Sequence, residues 1–212
     1  MRQSIDLSLY LVIGPGHCAG RDMTDVAEAA ARGGAGMVQL RDKTSSTRQQ
    51  IADAQALAVR LAPLDVPLLI NDRVDVALAA GAGGVHLGQS DMDPAAARRL
   101  LGGDAIIGVT VHTLDEARGV PVEQVDYVSI GGVFATTSKN NPNPPLGLAG
   151  LLEIAALLDL PMIAIAGISR ENAASVIRCG VEGIAVISAV CAATDPRAAA
   201  ADLYDTVQQA KP

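Results

Sequence analysis

Two acidic residues follow two short apolar runs at equivalent positions. Residues 68–70 lead into Asp72, and residues 84–87 lead into Asp91. If the runs are neighbouring parallel strands, the two carboxylates leave the sheet at the same end, within reach of one cation. Mg²⁺ prefers oxygen ligands and is usually held by one or two carboxylates together with substrate phosphates. Either acid alone would more often cap a helix, but the repeated position favours a Mg²⁺ site.

Basic side chains follow the second apolar run. Gln39, Arg41 and Lys43 alternate along the chain, so they are expected to share one face of a strand and its extension. A guanidinium and an ammonium held close together repel each other unless an anion joins them, and a diphosphate offers the paired oxygens that Arg binds well. The alternative for Arg41 is a salt bridge with Asp42 or another acid. With Lys139 as a third cation, an anion site is favoured.

Three hydroxyl residues lie in the longest loop of the chain. Thr136, Thr137 and Ser138 stand just before Lys139, within residues 131–147. Long loops without secondary structure of their own are often lids over an active site, which is our prediction for this one. The alternative is that the hydroxyl groups only bind the backbone of turns.

The elements that would position these residues alternate along the whole chain. Predicted strands lie at 8–13, 36–41, 68–70, 84–87, 105–109, 125–130, 161–165 and 183–187. Predicted helices lie at 22–32, 45–61, 73–80, 94–101, from 114 onward, and at 148–158, 170–178 and 196–209. Eight strand–helix units without a linker predict a single-domain (β/α)8 barrel, or TIM barrel, spanning residues 1–212. A doubly wound sheet is the alternative, but no G-x-G-x-x-G follows the first strand.

In such a barrel the active site lies at the carboxyl ends of the strands, where the polar residues above fall. Gly167 follows the seventh predicted strand, and Ile187 and Ser188 end the eighth, where many barrels bind phosphate. A glycine there also fits a simple turn. His86 lies inside an apolar run and is predicted to be a hydrogen-bonded core residue, whereas His112 is better placed for acid–base chemistry.

Charge and composition limit the partners. A net charge of −7 argues against nucleic acid or an anionic membrane, and no apolar run approaches the roughly 18 residues of a membrane helix. Three cysteines without metal-type spacing, behind an N-terminus unlike a signal peptide, predict a cytoplasmic protein. We expect small phosphorylated substrates as partners, and a homo-oligomer is compatible with the sequence.

The motifs taken together resemble the thiamine phosphate synthase family. They are QLRDK at 39–43, ND at 71–72, GVHLGQSD at 84–91, GVTVHT at 108–113, TTSK at 136–139, AGI at 166–168 and IS at 187–188. They occur in order and cover nearly the whole chain. Gly14-Pro15, Gly131-Gly132 and Ala135 depart from residues that are common in the family.

The resemblance implies a transferase that joins hydroxymethylpyrimidine diphosphate to a thiazole phosphate, plain or carboxylated, and releases diphosphate. It implies that the diphosphate leaves first and that the thiazole nitrogen captures the resulting cation. The implied residues for the pyrimidine diphosphate are Gln39, Leu40, Arg41, Asp42, Lys43, Asn71, Thr110 and Lys139, of which Arg41, Lys43, Thr110 and Lys139 would be catalytic. The implied residues for the thiazole phosphate are Thr136, Thr137, Ser138, Gly167, Ile187 and Ser188, and those for Mg²⁺ are Asp72 and Asp91.

Two alternatives remain open at this point. The homologous thiazole tautomerase is an isomerase that uses a His near His112, and it has no use for a metal-diphosphate site. A non-catalytic barrel that binds a phosphorylated ligand is the second alternative.

Overall fold

The fold is a closed barrel of eight parallel strands, seen in a computed structural model that describes residues 5–136 and 144–211. Each strand pairs with its sequence neighbours, and the last pairs with the first to close the barrel. The strands are β1 (Leu9–Ile13), β2 (Met37–Leu40), β3 (Leu68–Asn71), β4 (Gly84–Leu87), β5 (Ile106–Val111), β6 (Tyr127–Ile130), β7 (Met162–Ile165) and β8 (Gly183–Val186). The predicted (β/α)8 barrel is confirmed.

Helices follow the strands as the sequence predicts. They are α1 (Met23–Arg32), α2 (Thr47–Leu61), α3 (Val74–Ala80), α4 (Pro94–Leu101), α5 (Leu114–Arg118), α6 (Gly147–Ala155), α7 (Arg170–Ile177), α8 (Ser188–Cys191) and α9 (Pro196–Ala210). The sequence missed α8 and two 3-10 turns at Pro15–His17 and Ala62–Leu64. It also ended the fifth strand too early, because Thr110 and Val111 belong to β5.

Several helices begin at a side chain that binds their free backbone N–H groups. Asp22 accepts hydrogen bonds from the backbone of Thr24 and Asp25 at the start of α1. Asp93 and Asp195 do the same for α4 and α9, and in both cases a proline follows directly. These are the residues that helix starts favour, which is why the sequence located these helices closely.

Alternation along the strands separates the core into two layers. Outward residues such as Leu11, Val38 and Ile107 pack against the helices. Inward residues fill the barrel, including Tyr10, Met37, Leu69, Ile106, Tyr127, Ile163 and Ala185. The inward polar residues Gln39, His86, Thr110 and Ser129 are also buried, and they lie nearer the carboxyl ends of their strands.

A largely buried ion pair lies at the opposite end of the barrel. Arg98 of α4 donates to the carbonyl oxygens of Ala105 and Gln124 and, at 2.6 Å, to the carboxylate of Asp126. The same carboxylate accepts the backbone N–H of Ile107 at 2.7 Å. Arg98 thereby joins α4 to the segments that enter β5 and β6, on the side away from the polar strand ends.

The predicted lid and domain limits are described only in part. Residues 137–143 of the loop, and residues 1–4 and 212, lie outside the described residues, so the limits 1–212 stay a prediction. The two described ends of the loop are joined, because Leu146 and Gly147 donate backbone hydrogen bonds to Gly132 and Val133. No helix within residues 5–136 and 144–211 is long and apolar enough to cross a membrane.

Candidate active site

A cavity of about 510 Å³ opens at the carboxyl ends of the strands, and all eight strands contribute to its wall. The predicted site residues that line it are Gln39, Arg41, Lys43, Asn71, Asp72, Asp91, Thr110, Thr136, Gly167, Ile187 and Ser188. Leu40 and Asp42 are not among the described residues that line it. Thr137, Ser138 and Lys139 lie outside the described residues. The structure therefore brings most of the predicted site into one place.

The two acids meet in this cavity, where each carboxyl group affects the pKa of the other. Burial and then the neighbouring Asp72 carboxyl raise the pKa of Asp91 above its ordinary value. Burial acts in the same direction on Asp72, but hydrogen bonds with Lys43 and Asp91 outweigh it, so the pKa of Asp72 is lowered. Opposite shifts are what two adjacent carboxyl groups show when one proton between them relieves their repulsion. A divalent cation would relieve the same repulsion.

Backbone geometry, rather than helix capping, places these acids. Asp72 has φ +61°, a left-handed conformation that Asp tolerates better than most residues, and its N–H donates to the carbonyl of His86 at 2.8 Å. Asp91 accepts the N–H of Gly88 at 2.7 Å. The capping alternative is wrong for both, because the residue that precedes α3 is Arg73 and the side chain that caps α4 is Asp93.

The cations beside the acids differ in their partners. The Lys43 ammonium forms an ion pair with Asp72. In the part of the chain that the structure describes, the Arg41 guanidinium makes no hydrogen bond or ion pair. Asp42 does not pair with it. One carboxylate oxygen of Asp42 accepts the backbone N–H groups of Thr44 and Ser45 and so shapes the turn. Arg41 is therefore available to an anion in the cavity.

A chain of polar groups runs beneath the cavity. Gln39 Nε2 donates to the Tyr10 hydroxyl at 2.7 Å, and the hydroxyl oxygens of Tyr10 and Tyr127 are 3.1 Å apart. His86 lies 2.7 Å from the Tyr127 hydroxyl through Nδ1 and 2.6 Å from the Thr110 hydroxyl through Nε2. His86 is thus a buried, hydrogen-bonded residue, as predicted. The sequence did not single out Tyr10 or Tyr127, and the only available signal was a hydroxyl group in an apolar run.

The end of β7 packs closely against the base of the loop. Gly167 has φ +64°, and a Cβ there would lie 2.5 Å from the carbonyl oxygen of Ala135. The N–H of Phe134 donates to the carbonyl of Ala166 at 3.1 Å. Because β7 pairs with β8, these residues lie beside Ile187 and Ser188, where α8 begins.

His112 also lines the cavity, close to an acid that the sequence did not indicate. Its Nδ1 lies 3.4 Å from Glu116 Oε2, and its backbone N–H donates to the same carboxylate oxygen at 2.5 Å. A Cβ at Gly131 would lie 2.8 Å from His112 Nε2, so the glycine leaves room for the ring.

At Gly14, another departure from the common family residues, a Cβ would lie 2.2 Å from the carbonyl oxygen of Arg41.

The closed barrel and its polar cavity place this protein among the (β/α)8 barrels with a site at the carboxyl ends of the strands. The family model described as thiamine monophosphate synthase matches residues 9–190. The chain is 48% identical over 199 residues to the thiamine-phosphate synthase of Chloroflexus aurantiacus, covering 94% of this chain and 92% of the relative. It is 44% identical over 211 residues to that of Azorhizobium caulinodans, covering 100% of both.

A solved structure agrees with these relatives. The thiamine phosphate pyrophosphorylase from Pyrococcus furiosus superimposes with a TM-score of 0.86 at 35% identity, covering 97% of each chain. The chain belongs to the thiamine monophosphate synthase family. The predicted transferase activity, thiamine phosphate synthesis, is confirmed at the level of the family.

Proposed function

We propose that this protein couples hydroxymethylpyrimidine diphosphate to a thiazole phosphate, plain or carboxylated, in the cavity at the strand ends. The observation that carries the proposal is the pair Asp72 and Asp91 in the same cavity as Arg41 and Lys43. Two carboxylates with two cations suit a metal-bound diphosphate, because the carboxylates can bind the metal ion and the cations can bind the diphosphate.

The cationic side would hold the diphosphate and neutralise it as it leaves. Arg41 offers a planar pair of donors, Lys43 a compact charge, and Lys139 of the loop a third cation. Gln39, Asn71 and Thr110 would contact the pyrimidine end of the substrate. Leu40 packs in the outer core and Asp42 shapes a turn. In this proposal both residues position their neighbours and do not contact the substrate.

Asp72 and Asp91 fit a Mg²⁺ site because their carboxyl groups are adjacent and repel each other. No cluster of three or more His, Cys, Asp or Glu ligands occurs among the described residues, so substrate oxygens and water would complete the coordination. When bound, Mg²⁺ would neutralise charge on the diphosphate. Lys43 pairs with Asp72, and it would turn to the diphosphate when a cation takes its place.

The protein need not supply a nucleophile in the proposed reaction. The diphosphate leaves first, and the thiazole nitrogen then attacks the methylene carbon of the pyrimidine cation. A carboxylated thiazole would lose CO2 after this coupling. The residues of the cavity hold the two substrates in line and stabilise the charge that develops on the leaving group. Thr136, Thr137, Ser138, Gly167, Ile187 and Ser188 would seat the thiazole phosphate beside β7 and β8.

The test is formation of thiamine phosphate from the two substrates, with Mg²⁺ present and then with the metal chelated. We expect metal-dependent product from the wild type. Asp91→Asn should lower kcat/KM by about 100-fold, because a neutral amide is a poor Mg²⁺ ligand. The matched control is Asp93→Asn, which should keep wild-type activity because Asn also caps helices well.

A specific observation supports one competing function. His112 and Glu116 form a contact in the same cavity, which would suit a tautomerase. If His112→Ala abolishes turnover of the wild-type reaction while Asp91→Asn leaves it intact, the metal-diphosphate proposal is wrong. Absence of product from the folded protein under both metal conditions would direct the next assay to thiazole isomerisation.

A further inference from the structure

Five polar side chains inside the barrel form one unbroken hydrogen-bonded chain. It runs from Gln39 through Tyr10, Tyr127 and His86 to Thr110, with consecutive distances of 2.7, 3.1, 2.7 and 2.6 Å. All five residues are buried. Four of them line the cavity, but Tyr127 is not among the described residues that do. Its hydroxyl therefore acts only through its neighbours.

The ring of Tyr127 is fixed independently of its hydroxyl. It stacks on His86 with ring centroids 5.5 Å apart and meets Tyr10 edge to face at 5.9 Å. On a third side, the backbone of Gly108 approaches so closely that a Cβ there would lie 2.1 Å from the Tyr127 ring. Removal of the hydroxyl alone should consequently leave the ring in place.

The strengths of the donors and acceptors favour one direction for the chain. The amide nitrogen of Gln39 can only donate, so Tyr10 accepts from it and keeps its own hydrogen for another acceptor. The strongest pairing available to Tyr127 is donation of its phenolic hydrogen to the imidazole nitrogen of His86, and burial raises the pKa of Tyr127, which keeps the hydrogen in place. His86 then carries its hydrogen on Nε2 and donates it to the Thr110 oxygen.

The opposite direction makes the same number of hydrogen bonds with a weaker donor to His86. Thr110 would give its hydrogen to His86, His86 would donate from Nδ1 to Tyr127, and Tyr127 would donate to Tyr10. Each direction leaves one hydroxyl hydrogen without an acceptor in the chain, that of Thr110 in the first and that of Tyr10 in the second, and both residues line the cavity. The two directions differ at His86. In the second, the aliphatic hydroxyl of Thr110, a weaker donor than a phenol, replaces Tyr127 as the donor to the imidazole.

We propose that Tyr127 is a positioning residue that holds His86 as the Nε2–H tautomer and thereby leaves the Thr110 hydroxyl as a hydrogen-bond donor to the cavity. The ligand that matches is a heterocycle with an acceptor nitrogen in its ring. The inference rests on the proposed function for the assignment of that heterocycle to the pyrimidine diphosphate. The tautomer itself is a property of the unliganded protein.

The first test is nitrogen-15 NMR of the histidine rings in the unliganded protein. The chain has three histidines, so His17→Gln and His112→Gln variants assign the His86 signals. We expect Nε2 to carry the hydrogen and Nδ1 to show the shift of a hydrogen-bonded acceptor. In Tyr127→Phe the Nδ1 signal should lose that shift. A wild-type spectrum with the hydrogen on Nδ1 overturns the inference, whether or not any variant folds.

The second test is a double-mutant cycle in the coupling assay. Tyr127→Phe and Thr110→Val should each lower kcat/KM for the pyrimidine diphosphate about tenfold, the effect of one hydrogen bond, and leave KM for the thiazole phosphate unchanged. The double variant should be no worse than either single one, because both remove the same donor. Additive losses contradict the inference. Tyr204→Phe, on α9, is the control and should match the wild type in both tests.

Failure of the proposed function would look different. A wild type that does not turn over the pyrimidine diphosphate refutes the proposed function, while the histidine spectra still decide the tautomer. A wild type that is active, with an unchanged His86 spectrum in Tyr127→Phe, refutes the inference and leaves the proposed function standing.

Discussion

The ring of Tyr127 occupies space that Gly108 leaves open on β5. A methyl group at that position would lie 2.1 Å from the Tyr127 ring, far inside van der Waals contact. Gly108 does not have a left-handed φ, so the requirement is one of space and not of backbone conformation. The polar chain beneath the cavity therefore depends on a residue that takes no part in it.

Gly108→Ala should lower the free energy of unfolding by about 2 kcal/mol, because the interior of the barrel has no room for another carbon. The measurement is urea unfolding followed by circular dichroism. The control is Gly103→Ala, since a Cβ at Gly103 meets nothing within 4 Å. Equal stability of the two variants would show that the interior near Tyr127 is not tightly packed.

Individual site residues were predictable where a charge breaks an apolar pattern. Asp72 and Asp91 stand out shortly after strand-like runs and Arg41 at the end of one, and all three line the cavity. Tyr10 and Tyr127 were not predicted, because a parallel strand is apolar on both faces and its sequence does not tell the inside of the barrel from the outside. Their role appears only when distant strands are brought together by closure of the barrel.

At the scale of elements, the two ends of the barrel serve different purposes. One end carries the cavity, and the other carries the ion pair between Arg98 and Asp126, with side-chain exposures of 11% and 7%. Breaking a buried pair by removing one partner leaves an unpaired charge in the interior, which costs more than an exposed pair would. We therefore expect substitutions at this end to lower the stability of the protein and to leave the rate of the reaction unchanged.

Arg98→Met should lower the free energy of unfolding by about 3 kcal/mol while kcat/KM at a temperature where the variant is folded stays at the wild-type value. The control is Arg99→Met, one residue along α4, where the side chain is exposed and the effect should be small. Thermal unfolding and the coupling assay together provide the readout. A loss of activity in folded Arg98→Met would mean that the two ends are coupled.

Element boundaries were predictable where chemistry marks them. Asp93 and Pro94 fixed the start of α4 to the residue. The short helix α8 has only four residues, too few for a periodic pattern, and it was missed. β5 runs two residues further than predicted because its last residues continue to pair with β6, and sequence pattern alone does not show pairing.

At the scale of the molecule, closure joins the first and last parts of the chain. β8 pairs with β1, and α9 lies against α1, where a Cβ at Gly33 would approach the carbonyl oxygen of Arg197 to 2.4 Å. Because of these contacts, β1 and α9 are fully packed only when both ends of the chain are folded. We expect the barrel to unfold as one cooperative unit.

Leu203→Ala on α9, where the side chain is buried in the outer core, should destabilise the protein by about 3 kcal/mol. The unfolding transitions followed by near- and far-ultraviolet circular dichroism should have the same midpoint, lower than that of the wild type. Gln209→Ala, on the exposed side of α9, is the control. Separate midpoints for the two probes in Leu203→Ala would contradict a single cooperative unit and show that α9 detaches first.

The ion pair between Lys43 and Asp72 brings one cation and one acid of the site together. On the proposed assignments, a metal ion arriving alone must displace the ammonium and then lie beside it, and a diphosphate arriving alone can bind Arg41 but meets the carboxyl groups of Asp72 and Asp91. Each of these steps is opposed by repulsion between like charges. The two together meet no such opposition, so we expect the metal ion and the diphosphate to bind more tightly together than either does alone.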